Sequence, residues 1–325
     1  MNEMITTADG NKGELVLAPL PKKTKSSTNM RKKKRLIFYI SLMALPMLQF
    51  FVLWFCVNIN SIFLAFKSYD FDTGDYTIVW FQNFADALKD FREIPYFSAS
   101  IRNTLIIYIC DLIFGTPLTL LFSFYIYKKL PASGVFKTIL FLPSILSSLI
   151  TVIIYKYFVD SAIPALWEML TGETIQGLLA NQDTTLVSII FFNVWMGFGT
   201  STIMYSSTMS GISDSVIEAA ELDGITPLKE FWYITLPMIW PTFVTFVVVG
   251  FSAMFTNQAG LYNFYGNNAE YSLYTFGYYL YVAVRTYSMN QYPYLSAIGL
   301  ILTAVALPLT LGLRKLMNKI GPSTL

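Results

Sequence analysis

Between Arg35 and Lys67 the chain carries no charged residue. As a helix, such a run exceeds the roughly 20 residues needed to cross the hydrocarbon core of a bilayer. The remaining charges are clustered, and they leave charge-poor apolar runs at about 101–127, 136–158, 186–209, 233–255 and 293–313, after a first at 36–58 that extends towards 65. Charged residues make up 13% of the chain and apolar residues 54%, whereas a water-soluble domain carries about a quarter charged residues. The reading is an all-α membrane protein with six transmembrane helices.

Six spans put both termini on one side. Residues 1–30 read as a disordered cytoplasmic tail, followed by a membrane domain over 31–320. The run Arg31 to Arg35 abuts the first span, so it reads as an orientation signal at a lipid surface and not as a nucleic-acid site. With the N-terminus in the cytoplasm, sixteen of the 22 basic residues fall inside, and Lys67, Lys89, Arg92, Arg102, Lys156 and Arg285 fall outside. Residues 66–100, 159–185 and 256–292 become external segments, with a short amphipathic helix near 80–88 and an interfacial one near 165–170. The chain is expected to be multi-pass with both termini cytoplasmic.

One polar stretch, residues 218–241, interrupts the apolar pattern on the inner side. Glu218, Ala219, Ala220, Glu221 and Leu222 are good helix formers, and Ser215 three residues ahead of Glu218 has the spacing of a capping box. Gly224 allows a left-handed turn, and Pro227 suits the first turn of a following helix. Two adjacent alanines leave room for another protein's surface. Pro237 and Pro241 remove two intrahelical hydrogen bonds where the fifth run begins.

The spacing Glu218-Ala219-Ala220, Gly224, then Ile234, Leu236 and Pro237 resembles the cytoplasmic loop of importer-type ABC permeases. Asp223 and Phe231 match the sugar-transporting branch. The sequence Phe141-Leu142-Pro143, Trp195 with Gly197, and residues 273–279 extend the likeness over about 36–316, towards permeases of the maltose, lactose and glycerol-phosphate type. Where that family usually has a Gly-Gly-Pro turn, this chain reads Asn263 to Asn268. The resemblance implies a type I ABC importer permease core whose loop, about 211–231, docks into a cleft on an ATPase. It implies a second related permease, two cytoplasmic ATPase subunits and an extracytoplasmic solute-binding protein as partners. ATP and magnesium would be held by the ATPases, and this chain would bind no cofactor. The solute implied is a small carbohydrate, a di- or oligosaccharide, with a polyol, a glycerol phosphate or a uronic-acid oligosaccharide as alternatives.

In that family the solute passes between the two permeases, lined by spans four and five. The side chains here suited to a sugar are Asn193, Trp195, Gly197 and Thr200, then Phe251, Met254, Phe255, Thr256 and Asn257. Aromatic faces stack on pyranose rings, and amides and hydroxyls satisfy their OH groups. Such residues also serve as interfacial belts and interhelical contacts. No stretch reads G-x-x-x-x-G-K-[ST], so ATP hydrolysis is expected in a partner and the chain is not read as an enzyme. The chain has no histidine, which excludes a His-ligated zinc site, and Cys56 and Cys110 read as free thiols within spans. Asp111 is the one carboxylate well inside a span. It is read as a group that hydrogen-bonds to a neighbouring helix or to the partner permease, ahead of the rival reading, a proton or cation relay in a secondary transporter.

Overall fold

The computed structural model describes residues 25–322, with side chains from Lys32 onward. The tail reading for residues 1–24 lies outside the described residues, and Lys25–Met30 are already helical. The described residues up to Asn60 and those from Ser61 onward form separate compact units. The first holds most of α1 (Lys32–Leu64), whose side chains from 32 to 60 are all exposed, as suits a helix solvated by lipid.

The second unit opens with a hairpin, β1 (Lys67–Tyr69) against β2 (Tyr76–Ile78), antiparallel with Ser68 opposite Thr77. Next come α2 (Gln82–Glu93), α3 (Pro95–Tyr127), α4 (Ser133–Ile145), α5 (Ser148–Thr171) and α6 (Gln182–Met209). The loop helices α7 (Asp214–Leu222) and α8 (Pro227–Met238) lead to α9 (Trp240–Ala253), α10 (Leu261–Tyr265), α11 (Phe276–Thr286) and α12 (Met289–Ile320). Five of these helices are long and apolar enough to cross a membrane, or six if α8 and α9 form one bent span.

The boundaries differ from the sequence reading in three places. The third run is not one helix: Leu146 and Ser147 are extended, separating α4 from α5. Pro143 withholds a donor just before this break, and the Ser144 hydroxyl donates to the Phe141 carbonyl at 2.7 Å, so local bonds compete with the helical ladder. Beyond it, α5 runs on through Thr171, so residues 159–171 continue the helix in place of a loop with a separate interfacial segment. The fifth run bends by 72° at Ile239, between Pro237 and Pro241.

Three of the prolines share a solution. Widened π-type turns occupy Asp111–Gly115, Phe158–Ala162 and Phe231–Thr235, each with a proline six residues after its start: Pro117, Pro164 and Pro237. In each turn an amide reaches back five residues, as Thr116 does to Asp111 and Leu236 to Phe231. The extra residue lets the proline ring clear the preceding turn without ending the helix.

Two buried clusters hold the second unit. One joins Phe97, Tyr155, Ile189, Phe192, Phe264, Tyr278 and Ile298. The other joins Leu120, Phe124, Tyr205, Met209, Ile217, Phe231 and Ile239 beneath the loop. Between α4 and α6, Gly199 lies so close to the Leu140 carbonyl that a Cβ would stand 2.2 Å from the oxygen.

Candidate functional site

The polar loop folds as a short helix, a turn and a second helix. Helix α7 starts after Ser213, whose hydroxyl is 2.8 Å from that of Ser215. Neither makes a side-chain cap, so the capping box expected from Ser215 and Glu218 does not form. Glu218 and Ala219 are exposed, whereas Ala220 is buried with Ile217 over the lower cluster. Only one of the two alanines is therefore open to a partner. Gly224 has φ +74°, and the amides of Gly224 and Ile225 donate to the carbonyls of Glu221 and Ala220 at 3.0 and 3.2 Å. That bond pair closes a helix on a left-handed residue, the conformation glycine supplies without strain. Asp223 is exposed beside it, and Leu222, 89% exposed, projects at the tip.

Helix α8 begins at Pro227, as its sequence suggests. Its decisive residue is Glu230, which sequence reading missed. Glu230 is only 2% exposed, and its carboxylate lies 2.9 Å from the Lys128 ammonium at the end of α3. Glu221 approaches the same ammonium at 3.4 Å from the other loop helix. The Phe231 ring packs edge-on to Phe124 at 5.3 Å, and the Trp240 indole donates to the Met317 carbonyl at 3.3 Å. The loop is thus fastened to the ends of α3 and α12. Ile234 and Leu236 are half-buried against the lower cluster, so they anchor the loop from within while Pro237 shapes the bend.

At mid-height a cleft of about 420 Å³ opens between α3, α6, α9 and the segment after α9. Of the nine residues suggested by the sequence for a solute path, Asn193, Gly197, Met254 and Asn257 line it. Asn193 spends its amide protons on the carbonyls of Ile189 and Ala259, at 2.8 and 3.0 Å, which leaves its oxygen for the cleft. The Asn257 oxygen accepts from the Ala259 amide at 2.8 Å, which leaves its NH₂ as a donor. The other five residues proposed for the path stand elsewhere. Trp195 lies roughly 200° around α6 from Asn193, and its ring packs on Tyr155 and Phe192. Thr200 is exposed and does not line the cleft, and Phe251 packs edge-on to Tyr108 at 5.6 Å. Phe255 and Thr256 face a separate pocket against α12. The structure adds Tyr108 and Asp111 from α3 to the cleft. Buried Asn103, unnoticed in the sequence, holds α3 to the segment before α11 by donating to the carbonyls of Ser272 and Tyr274.

Residues 97–321 match the family described as binding-protein-dependent transport system inner membrane components. The chain belongs to that family. It is 28% identical to the polygalacturonan/rhamnogalacturonan transport system permease protein YteP of Bacillus subtilis, an alignment covering 89% of this chain and 92% of that one. It is 26% identical to the arabinooligosaccharides transport system permease protein AraP of the same organism, covering 82% and 84%. Among solved structures, a bacterial ABC transporter involved in import of the acidic polysaccharide alginate aligns with TM-score 0.73 and 20% identity, over 90% of this chain and 99% of that one. The last likeness is one of fold.

Proposed function

We infer that the chain is the membrane-spanning permease subunit of an ATP-driven importer for a di- or oligosaccharide. It spans a bacterial cytoplasmic membrane six times with both termini inside, α8 and α9 counting as one bent span in a type I core. A second permease, two ATPase subunits and an extracytoplasmic binding protein complete the assembly, and the ATPases hydrolyse ATP. Family membership supports the transport role, and the names of the saccharide permeases it resembles support the solute class.

The observation that carries this reading is the loop. Glu218 and Ala219 are presented outward beside the exposed Leu222, while Ala220, Ile217 and Glu230 fasten the other side to the bundle. A surface open on one face and locked on the other suits a docking lever. Movement of an ATPase held there would turn α8 at the bend near Ile239 and open or close the cleft in alternating access. Purification of the complex through an N-terminal tag, with mass spectrometry of the companion chains, tests it. A second permease and an ATPase are the expected companions. A homo-oligomer without an ATPase, under conditions that preserve a control importer, would refute the reading.

A further inference from the structure

Asp111 stands where two cavities meet. It lines the 420 Å³ cleft and a second cavity of about 220 Å³, and Tyr108, Gly197 and Gly250 are common to both. Among the described residues it forms no ion pair and accepts no side-chain hydrogen bond. Its carboxylate lies over Gly115, where a Cβ would come within 2.4 Å of Oδ1. The glycine therefore makes room for the carboxylate on the cavity wall. No lysine or arginine lines either cavity. Nor does either hold a second carboxylate or a histidine, so nothing there continues an ion relay from Asp111.

A carboxylate that its own chain supplies with no neutralising cation accepts hydrogen bonds from hydroxyl groups and repels another carboxylate. The neighbouring groups complete a lining for a neutral polyhydroxyl solute: an acceptor oxygen from Asn193, a donor NH₂ from Asn257, and the Tyr108 hydroxyl, which donates to the Val247 carbonyl at 3.0 Å and can still accept. We propose that Asp111 is the charge-selecting residue of the translocation cleft, which admits neutral saccharides and excludes uronate-containing ones. The proposal rests on the importer reading and narrows its solute. It separates this chain from its polygalacturonan-transporting relative, with which it shares 28% identity.

The test reads the cleft's electrostatics without needing the natural solute. In the full complex, with Cys56 and Cys110 changed to serine, Ala253→Cys places a reporter thiol on the cleft wall. Its reaction rates with the cationic trimethylammonium-ethyl and the anionic sulfonato-ethyl methanethiosulfonates are compared with those of a free thiol. The expected result is a cation preference at least tenfold above that of the free thiol, lost in Asp111→Asn and kept in Asp111→Glu. A ratio equal to that of the free thiol, or one unchanged by Asp111→Asn, would overturn the proposal. If the Asn variant does not assemble, the unsubstituted ratio alone decides. In proteoliposomes bearing the binding protein, saturable uptake of trigalacturonate would also overturn it, whereas its exclusion alongside uptake of a neutral trisaccharide supports it. A complex lacking an ATPase would sink the importer reading, and the thiol ratio would still report on Asp111.

Discussion

Breaking the Lys128–Glu230 pair should loosen the loop from the second span and uncouple transport from ATP hydrolysis. At 2.9 Å and an effective dielectric of about 20, the two charges attract by about 6 kcal/mol before desolvation is counted. Desolvation cancels much of that, so the useful quantity is the penalty for leaving one charge alone. Glu230 is enclosed and its Oε1 has no hydrogen-bond partner among the described residues, so Lys128→Met strands the whole carboxylate. Orphaning a buried partner costs about 3–5 kcal/mol, and the 19% exposure of the Lys128 side chain sets the expectation at about 3 kcal/mol. In a chain of this size that lowers the thermal midpoint of the detergent-solubilised complex by roughly 4 °C. Combining Lys128→Met with Glu230→Met removes both charges and should recover at least half of the loss. Glu221→Gln serves as the control, because Glu221 is 61% exposed and its longer pair contributes less than about 1 kcal/mol. In proteoliposomes, Lys128→Met should hydrolyse ATP with less solute moved per turnover. Additive losses in the double variant, or an undisturbed Lys128→Met protein, would refute the reasoning.

The same pair sets a direction with pH. Burial works against the charge on Lys128, but the hydrogen bond and charge of Glu230, then those of Glu221, outweigh it and raise its pKa above the ordinary 10.5. A lysine whose pKa is higher folded than unfolded contributes stability that is fully present below 10.5 and is lost as pH rises through the folded value. This pair therefore contributes a constant amount from pH 7 to 9. Lys128→Met should flatten only the alkaline limb of a stability profile.

Gly224→Val should leave insertion intact but lower transport: a Cβ there meets nothing within 4 Å, so the cost of about 1–2 kcal/mol is all left-handed backbone strain. Uptake and membrane abundance, measured together, check this. Gly199→Ala should instead reduce abundance, because its Cβ would drive α6 away from the Leu140 carbonyl; the folded yield in detergent is the readout. Leu222→Asp should weaken recovery of the ATPase with the tagged permease at least several-fold without changing the permease's own thermal midpoint, since Leu222 is 89% exposed and supports no core.

The apolar runs made most of the helices legible, because a bilayer imposes a length and a composition that a sequence displays directly. The Gly224 turn was equally plain. The interruptions were not: Leu146 and Ser147 resemble any span residues, and the helix breaks there through local hydroxyl bonding near a proline. Glu230 escaped notice because a glutamate in a polar loop reads as solvated. Its burial depends on a lysine 102 residues earlier in the chain, which charge counting had assigned to orientation alone. Trp195 is the opposite case, a residue legible by its chemistry whose packing the sequence did not display. Its chemistry suits a sugar, but its helical phase turns it into the aromatic core, whereas Asn193 and Gly197, four residues apart, share the cleft face.

These corrections give α3 a role that its sequence did not advertise. It carries Asn103 under the segment before α11, Tyr108 and Asp111 on the cleft, and at its end leads to Lys128 in the loop's ion pair. Seventeen residues separate Asp111 from Lys128, roughly 25 Å along a helix. A force applied to the docking loop therefore has two routes to the cleft, through the bend between α8 and α9 and along α3. The widened turn at Asp111–Gly115 interrupts the regular ladder of α3 beside the carboxylate, so flexure of that helix would concentrate at the cleft and not along its length. If the proposed importer reading and the role proposed for Asp111 hold, coupling and solute selection share one helix, with Lys128 receiving the motion and Asp111 meeting the solute.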